Sequence, residues 1–274
     1  MSTWEKYYTA EEVAFAWRLV RLDLLGTPIV AAWFFALSYA AVPRGSSSLE
    51  DEPRPTSKVV VCQGILAFLS VVVNFRQARA LPPKKTEDAF YAFQYLGRWP
   101  LLTRQANSLQ SIYFITSLAA SLAGQAQLKL RCDAVALFIG SLASFVTFQY
   151  FMLIHFHQDT KKKDLVWSQR DPPYPLRRTL AVNHALQLPL AVCDIALTKR
   201  RPSFQRNCSL FATISLILFY STFYLGLIVL NRRVSGYWPY SLMKTFKTFS
   251  MWVKFTLAQL VIQVSLALAL WAIS

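Results

Sequence analysis

Long apolar runs constrain this 274-residue chain more than any other feature. Five of them, at about 24–42, 105–124, 132–156, 208–230 and 250–273, are each long enough to cross a hydrocarbon core about 30 Å thick, which takes roughly 17–25 helical residues. Two weaker stretches join them: 59–74 (VVVCQGILAFLSVVVN), short but nearly uninterrupted, and 179–197, which is diluted by polar residues. With 54% apolar residues and a positive mean hydropathy the chain is too apolar for an ordinary soluble domain. The expected fold is therefore an all-α integral membrane protein, a helical bundle of about seven spans within one membrane domain, 24–274.

The formal charge of +15 suggests nucleic acid only until the cations are located. Lys161-Lys162-Lys163, Lys199-Arg200-Arg201 and Arg232-Arg233 each abut an apolar run, where cations meet anionic headgroups and set topology. Membrane lipids are the expected partners, and nucleic acid is not. Cys62, Cys132, Cys193 and Cys208 lie in or beside spans without close spacing, so they signal neither a zinc site nor a disulfide framework. No cofactor is implied.

Glu5, Glu11, Glu12 and Asp23 precede the first span where a cleavable signal would carry basic residues, so that span is expected to act as its own insertion signal. Residues 1–23 read as an amphipathic interfacial segment. Thr9 and Glu12 have capping-box spacing, and Val13, Trp17, Val20 and Leu24 recur at helical intervals beside Arg18 and Arg21. An acidic, flexible loop over 43–57, a basic linker over 76–100 with Pro82 and Pro83, and a basic loop over 157–178 separate the spans. With seven spans, the N-terminus shares a side with loops 75–104, 157–178 and 231–249. That side holds 19 of the 29 Lys and Arg, which places it in the cytosol. No address signal is readable at either end, so an internal membrane such as the endoplasmic reticulum is the default location.

Polar residues inside spans are where function is sought, because they are costly there and face a bundle interior or a wet cavity. Span 179–197 carries His184 one turn into its near end and Asp194 near its far end. Composition leaves two roles open for His184, catalysis or an interhelical hydrogen bond. Asp194, about 15 Å further along a helix, is too far to orient that imidazole and reads as a cavity-lining or pairing residue. At the start of the third span Thr103, Asn107 and Gln110 form one polar stripe. Both helices enter from the same side, so Thr103 and His184 can meet just below the interface. A hydroxyl beside an imidazole suits nucleophilic catalysis, with Asn107 or Gln110 donating to an oxyanion. A plain capping or back-bonding role for Thr103 stands beside that reading. His155 and His157 flank the end of the fourth span, His157 as a candidate second proton carrier, without the cluster that a metal site needs.

Three segments carry a resemblance. GRWPLLTRQANSLQSIYF (97–114), HALQLPLAVCD (184–194) and VSGYWPYSLM (234–243) resemble, in order and spacing, blocks of the androgen-induced and androgen-dependent TFPI-regulating family of multipass proteins. The resemblance covers roughly 58–250 and omits the first span, relatives having about six. It implies an intramembrane threonine hydrolase of fatty acid esters of hydroxy fatty acids, with Thr103 as nucleophile and His184 as catalytic base. Asn107 stands where an acid can occur, and Arg104 where an apolar residue is usual. The reading of another class is a non-catalytic lipid-binding or transport protein, in which Asp194 matters most.

Overall fold

The computed structural model describes residues 8–42, 55–78, 83–156, 158–169, 175–199 and 201–274. Among them are eleven α-helices: α1 Ala10–Ala41, α2 Ser57–Ala78, α3 Asp88–Ala92, α4 Leu102–Ala123, α5 Ala126–Tyr150, α6 Gln158–Ser168, α7 Leu176–Ala185, α8 Gln187–Thr198, α9 Arg201–Asn207, α10 Leu210–Ser235 and α11 Phe249–Ile273. A π-helical turn, Phe151–His155, extends α5, and a 3₁₀ turn, Ser241–Thr245, precedes α11. Most of the acidic loop (43–54), Pro82, His157, residues 170–174 and Arg200 lie outside the described residues.

Among the described residues six helical stretches are long and apolar enough to cross a membrane: α1, α2, α5 with its π turn, α7 with α8, α10 and α11. Helix α4 is also long enough at 22 residues, but its Thr, Arg, Gln, Asn and Ser residues keep it below that hydropathy. It lies inside, packed on α1, α2 and α5, so its polar groups find partners on neighbouring helices. Gln63 Nε2 donates to Ser117 Oγ at 3.1 Å, and Asn74 Nδ2 to Ser111 Oγ at 3.1 Å and to the Asn107 carbonyl at 3.2 Å, joining α2 to α4 over about three turns.

The expected interfacial segment and first span form one continuous 32-residue helix, started by the Thr9–Glu12 capping box. Its inward stripe is Phe15, Leu19 and Asp23. Phe15 and Leu19 pack on Phe90, Ala92 and Phe93, while Trp17 and Leu24 of the anticipated apolar stripe face outward. Lys85 bonds Glu11 at 2.8 Å, which raises the pKa of its ammonium group and helps hold linker and α1 together.

The expected span 179–197 is broken. Helix α7 ends at Ala185 and α8 begins at Gln187. Pro189 has no N–H and its ring collides with the carbonyl four residues back, that of Ala185, which opens the helix at this turn. Thr147 of α5 fills the opening: its hydroxyl donates to the His184 carbonyl at 2.5 Å and accepts from the Leu188 N–H at 3.2 Å. It thus stands in for the helical bond that these two groups would have made with each other.

Candidate active site

Thr103 is the second residue of α4, and His184 the penultimate residue of α7; both are buried. Thr103 Oγ1 lies 2.9 Å from His184 Nε2. The other ring nitrogen, Nδ1, is 2.6 Å from the Leu180 carbonyl one turn back on α7. A carbonyl only accepts, so Nδ1 carries the proton and Nε2 presents its lone pair to the threonine hydroxyl. Thr103 therefore donates, and the pair is set in the tautomer from which an imidazole can remove a hydroxyl proton.

Three contacts in all hold His184 in this position. The Tyr150 ring stacks on it with centroids 4.7 Å apart and planes 18° apart, Thr147 fixes its carbonyl, and the turn of α7 fixes Nδ1. Tyr150 Oη in turn lies 2.9 Å from His155 Nδ1, so His155 sits one residue removed from the pair. His157 is outside the described residues.

The start of α4 is pinned from the opposite side. Gly97 takes φ +58°, a conformation open to glycine, and turns the chain toward α4. The Leu102 N–H donates to Tyr240 Oη at 2.7 Å, and Tyr224 Oη lies 3.0 Å from the Pro100 carbonyl and 3.2 Å from Tyr240 Oη. Burial raises the Tyr240 pKa above the usual phenol value, so this acceptor stays a neutral hydroxyl. The Thr103 amide lies in the first turn, where backbone N–H groups have no acceptor within their own helix.

Asn107 and Gln110 direct their amides elsewhere. Asn107 Nδ2 donates to Gln77 Oε1 at 3.0 Å and to the Asn183 carbonyl at 3.4 Å, and Gln110 Nε2 donates to the Gln187 carbonyl at 3.1 Å. They tie α4 to α2 and to the broken helix rather than reaching toward Thr103. Asp194 is at the far end of the bundle. It accepts from Tyr113 Oη at 2.5 Å and Thr198 Oγ1 at 2.7 Å, near Asp133, which is bridged by Lys199 and Lys129.

Arg104, next to Thr103, points into a second buried polar cluster. Its Nη1 donates to Asn74 Oδ1 at 2.6 Å and its Nε is 3.6 Å from Asp23 Oδ1. Arg98 Nη2 donates to Asp23 Oδ2 at 2.6 Å. Two guanidinium groups beside the site thus share one carboxylate, and that carboxylate belongs to α1.

The fold and this buried pair together define a class: a multipass helical membrane protein with a buried Thr–His contact between two of its helices. Residues 59–272 match the FAR-17a/AIG1-like protein family. The chain belongs to that family, with α1 lying ahead of the matched region. Neither the curated proteins nor the solved structures include one that matches it.

The residues that the sequence left unassigned are Thr147, Tyr150, Tyr240 and Asp23. Tyr240 stands in the VSGYWPYSLM segment, where family resemblance marked the loop without a role. Thr147 had no signal beyond a hydroxyl in an apolar run, since its partners are two backbone groups 37 and 41 residues away.

Proposed function

We infer that the chain is an intramembrane hydrolase of lipid esters, with fatty acid esters of hydroxy fatty acids as the substrate class that its family resemblance favours. The observation that carries this reading is the 2.9 Å contact between Thr103 Oγ1 and His184 Nε2, with Nδ1 committed to the Leu180 carbonyl. A threonine hydroxyl is a poor nucleophile until a base takes its proton, and a buried imidazole in this tautomer is such a base.

In the proposed cycle the ester enters from the bilayer. Thr103 Oγ1 bonds to the ester carbonyl carbon as its proton passes to His184 Nε2, and the backbone N–H of Thr103 donates to the oxyanion. The tetrahedral species collapses as the ester C–O bond breaks, and His184 returns the proton to the departing hydroxy fatty acid. Water then gives a proton to His184 and attacks the acyl carbon. Thr103 leaves with that proton, and the fatty acid is released. The imidazole keeps its orientation through Leu180 O, Tyr150 and Thr147.

Asp194, on which the transport alternative leans, has each oxygen bonded to a hydroxyl of its own bundle, and this favours a structural part for it. The membrane environment supplies both substrate and partners, and an internal membrane such as the endoplasmic reticulum is the proposed location.

The test is turnover of a palmitate ester of a hydroxystearate by purified protein, together with fluorophosphonate labelling. Wild type is expected to hydrolyse and label, and Thr103→Ala and His184→Ala to do neither while eluting as monodisperse peaks. Hydrolysis retained by a folded Thr103→Ala variant rules the mechanism out.

A further inference from the structure

A cavity of about 310 Å³ lies on the opposite side of α4 from the Thr–His pair. Its walls come from α1, the loop before α4, the first two turns of α4, and α10; Gln105 and Leu109 are the α4 contribution. Gln105 and Thr103 are two residues apart and so point about 200° apart around the helix. A molecule in this cavity does not face His184.

The lining is apolar apart from a few groups that satisfy each other. Gln105 Nε2 donates to the Trp99 carbonyl at 2.6 Å, Tyr220 Oη donates to Gln105 Oε1 at 2.6 Å, and Trp99 Nε1 donates to the Leu22 carbonyl at 2.9 Å. Water needs two to four polar partners to occupy a cavity, and here those partners are engaged with one another. Tyr95 is the exception and stands half exposed at the loop end, the level at which phenol rings meet lipid headgroups.

The remaining lip faces the bilayer. Leu25 and Ile29 line the cavity and are 69% and 62% exposed on a helix long and apolar enough to cross a membrane. From Leu22 to Leu37 the α1 wall runs about 22 Å, against about 15 Å for one leaflet of a 30 Å hydrocarbon core. At Gly26 a Cβ would overlap the Trp99 indole, so the absent side chain lets Trp99 close the loop end. The result is a dry trough, open to lipid beside Leu25 and Ile29 and closed at its far end by Leu37, with a phenol at the headgroup end.

From this we propose that the trough holds one acyl chain of a resident membrane phospholipid, against α1 and separately from the hydrolysed ester. The position behind α4 is what favours a resident lipid over the substrate, and the inference stands whether or not the protein is a hydrolase.

The experiment uses the full chain in nanodiscs of phosphatidylcholine bearing a photoactivatable diazirine on one acyl chain, with labelled peptides mapped by mass spectrometry. Labelling is expected at Val30 and Leu109, and its loss at Val30 is expected when the trough is filled by Leu109→Trp. Leu25→Trp at the exposed lip provides the same block without touching the packed interior. Outward-facing Leu24 serves as the reference and stays labelled throughout. Trough positions labelled no more than Leu24, or labelled equally in the Leu25→Trp protein, overturn the proposal. So does a Leu109→Trp variant that changes chain-length preference in ester turnover while its phospholipid labelling is unchanged, because the occupant is then the substrate.

Discussion

Replacing Thr147 by valine removes one hydroxyl and keeps the side-chain shape. That hydroxyl serves two backbone groups at the α7–α8 break, the His184 carbonyl at 2.5 Å and the Leu188 N–H at 3.2 Å. They cannot simply bond each other, because Pro189 forces the turn open. Each buried group left without a partner costs about 1–3 kcal/mol, so a loss of about 2–6 kcal/mol is expected in a rigid structure, less where the helix relaxes. Relaxation has its own consequence, since His184 belongs to the displaced turn. A shift of about 1 Å in a catalytic group can lower turnover about a hundredfold. The assay is kcat for the hydroxystearate ester beside the thermal midpoint in detergent. Thr147→Ser, which keeps the hydroxyl, is expected to hold kcat near wild type. Thr147→Val with unchanged kcat and an unchanged midpoint refutes the bridging argument.

Further outcomes follow from other contacts. Asp23→Asn leaves Arg98 and Arg104 buried without their shared carboxylate, and breaking a buried pair in this way costs about 3–5 kcal/mol, to be read as a lowered thermal midpoint. Deleting residues 1–42 is expected to do at least as much, although the family match begins only at residue 59. Tyr240→Phe removes the acceptor of the Leu102 N–H and is expected to cost about 1–3 kcal/mol and to lower kcat, while Tyr224→Phe in the same cluster lowers stability with a smaller effect on kcat. Asp194→Asn is expected to retain ester turnover in folded protein and to lower the midpoint. A folded Asp194→Asn protein without activity contradicts the structural part given to that residue.

The helical membrane architecture was legible because bilayer thickness fixes a run length, and the runs can be counted. The polar stripe on α4 was legible for a similar reason: Thr103, Asn107 and Gln110 fall on one face at fixed helical spacing. That stripe also lowers the hydropathy of α4 below that of a free-standing span, and its Asn107 spends its hydrogen bonds on α2 and α7. The meeting of Thr103 and His184 could be anticipated only as a shared side of the membrane and a shared depth. What holds them could not, because the Leu180 and His184 carbonyls and the Leu188 amide are backbone groups that exist at every position. Pro189 is a residue that a helix interior does not tolerate, but nothing local says that a threonine of α5 fills the opening it makes. Arg104 was visible as a departure from the family pattern, and its explanation sits 81 residues earlier in Asp23, on a helix the family match does not reach.

The central claim is that Thr103 carries the acyl group during turnover, and the adduct itself is the most direct thing to measure. Wild-type protein mixed with palmitoyl hydroxystearate, quenched in acid within the first turnovers and digested, is expected to yield the peptide containing Thr103 bearing one palmitoyl group. The adduct is expected to be absent in Thr103→Ala and His184→Ala. A palmitoyl group found instead on Cys62 or Cys193, or rapid turnover with Thr103 unmodified at every quench time, contradicts the mechanism.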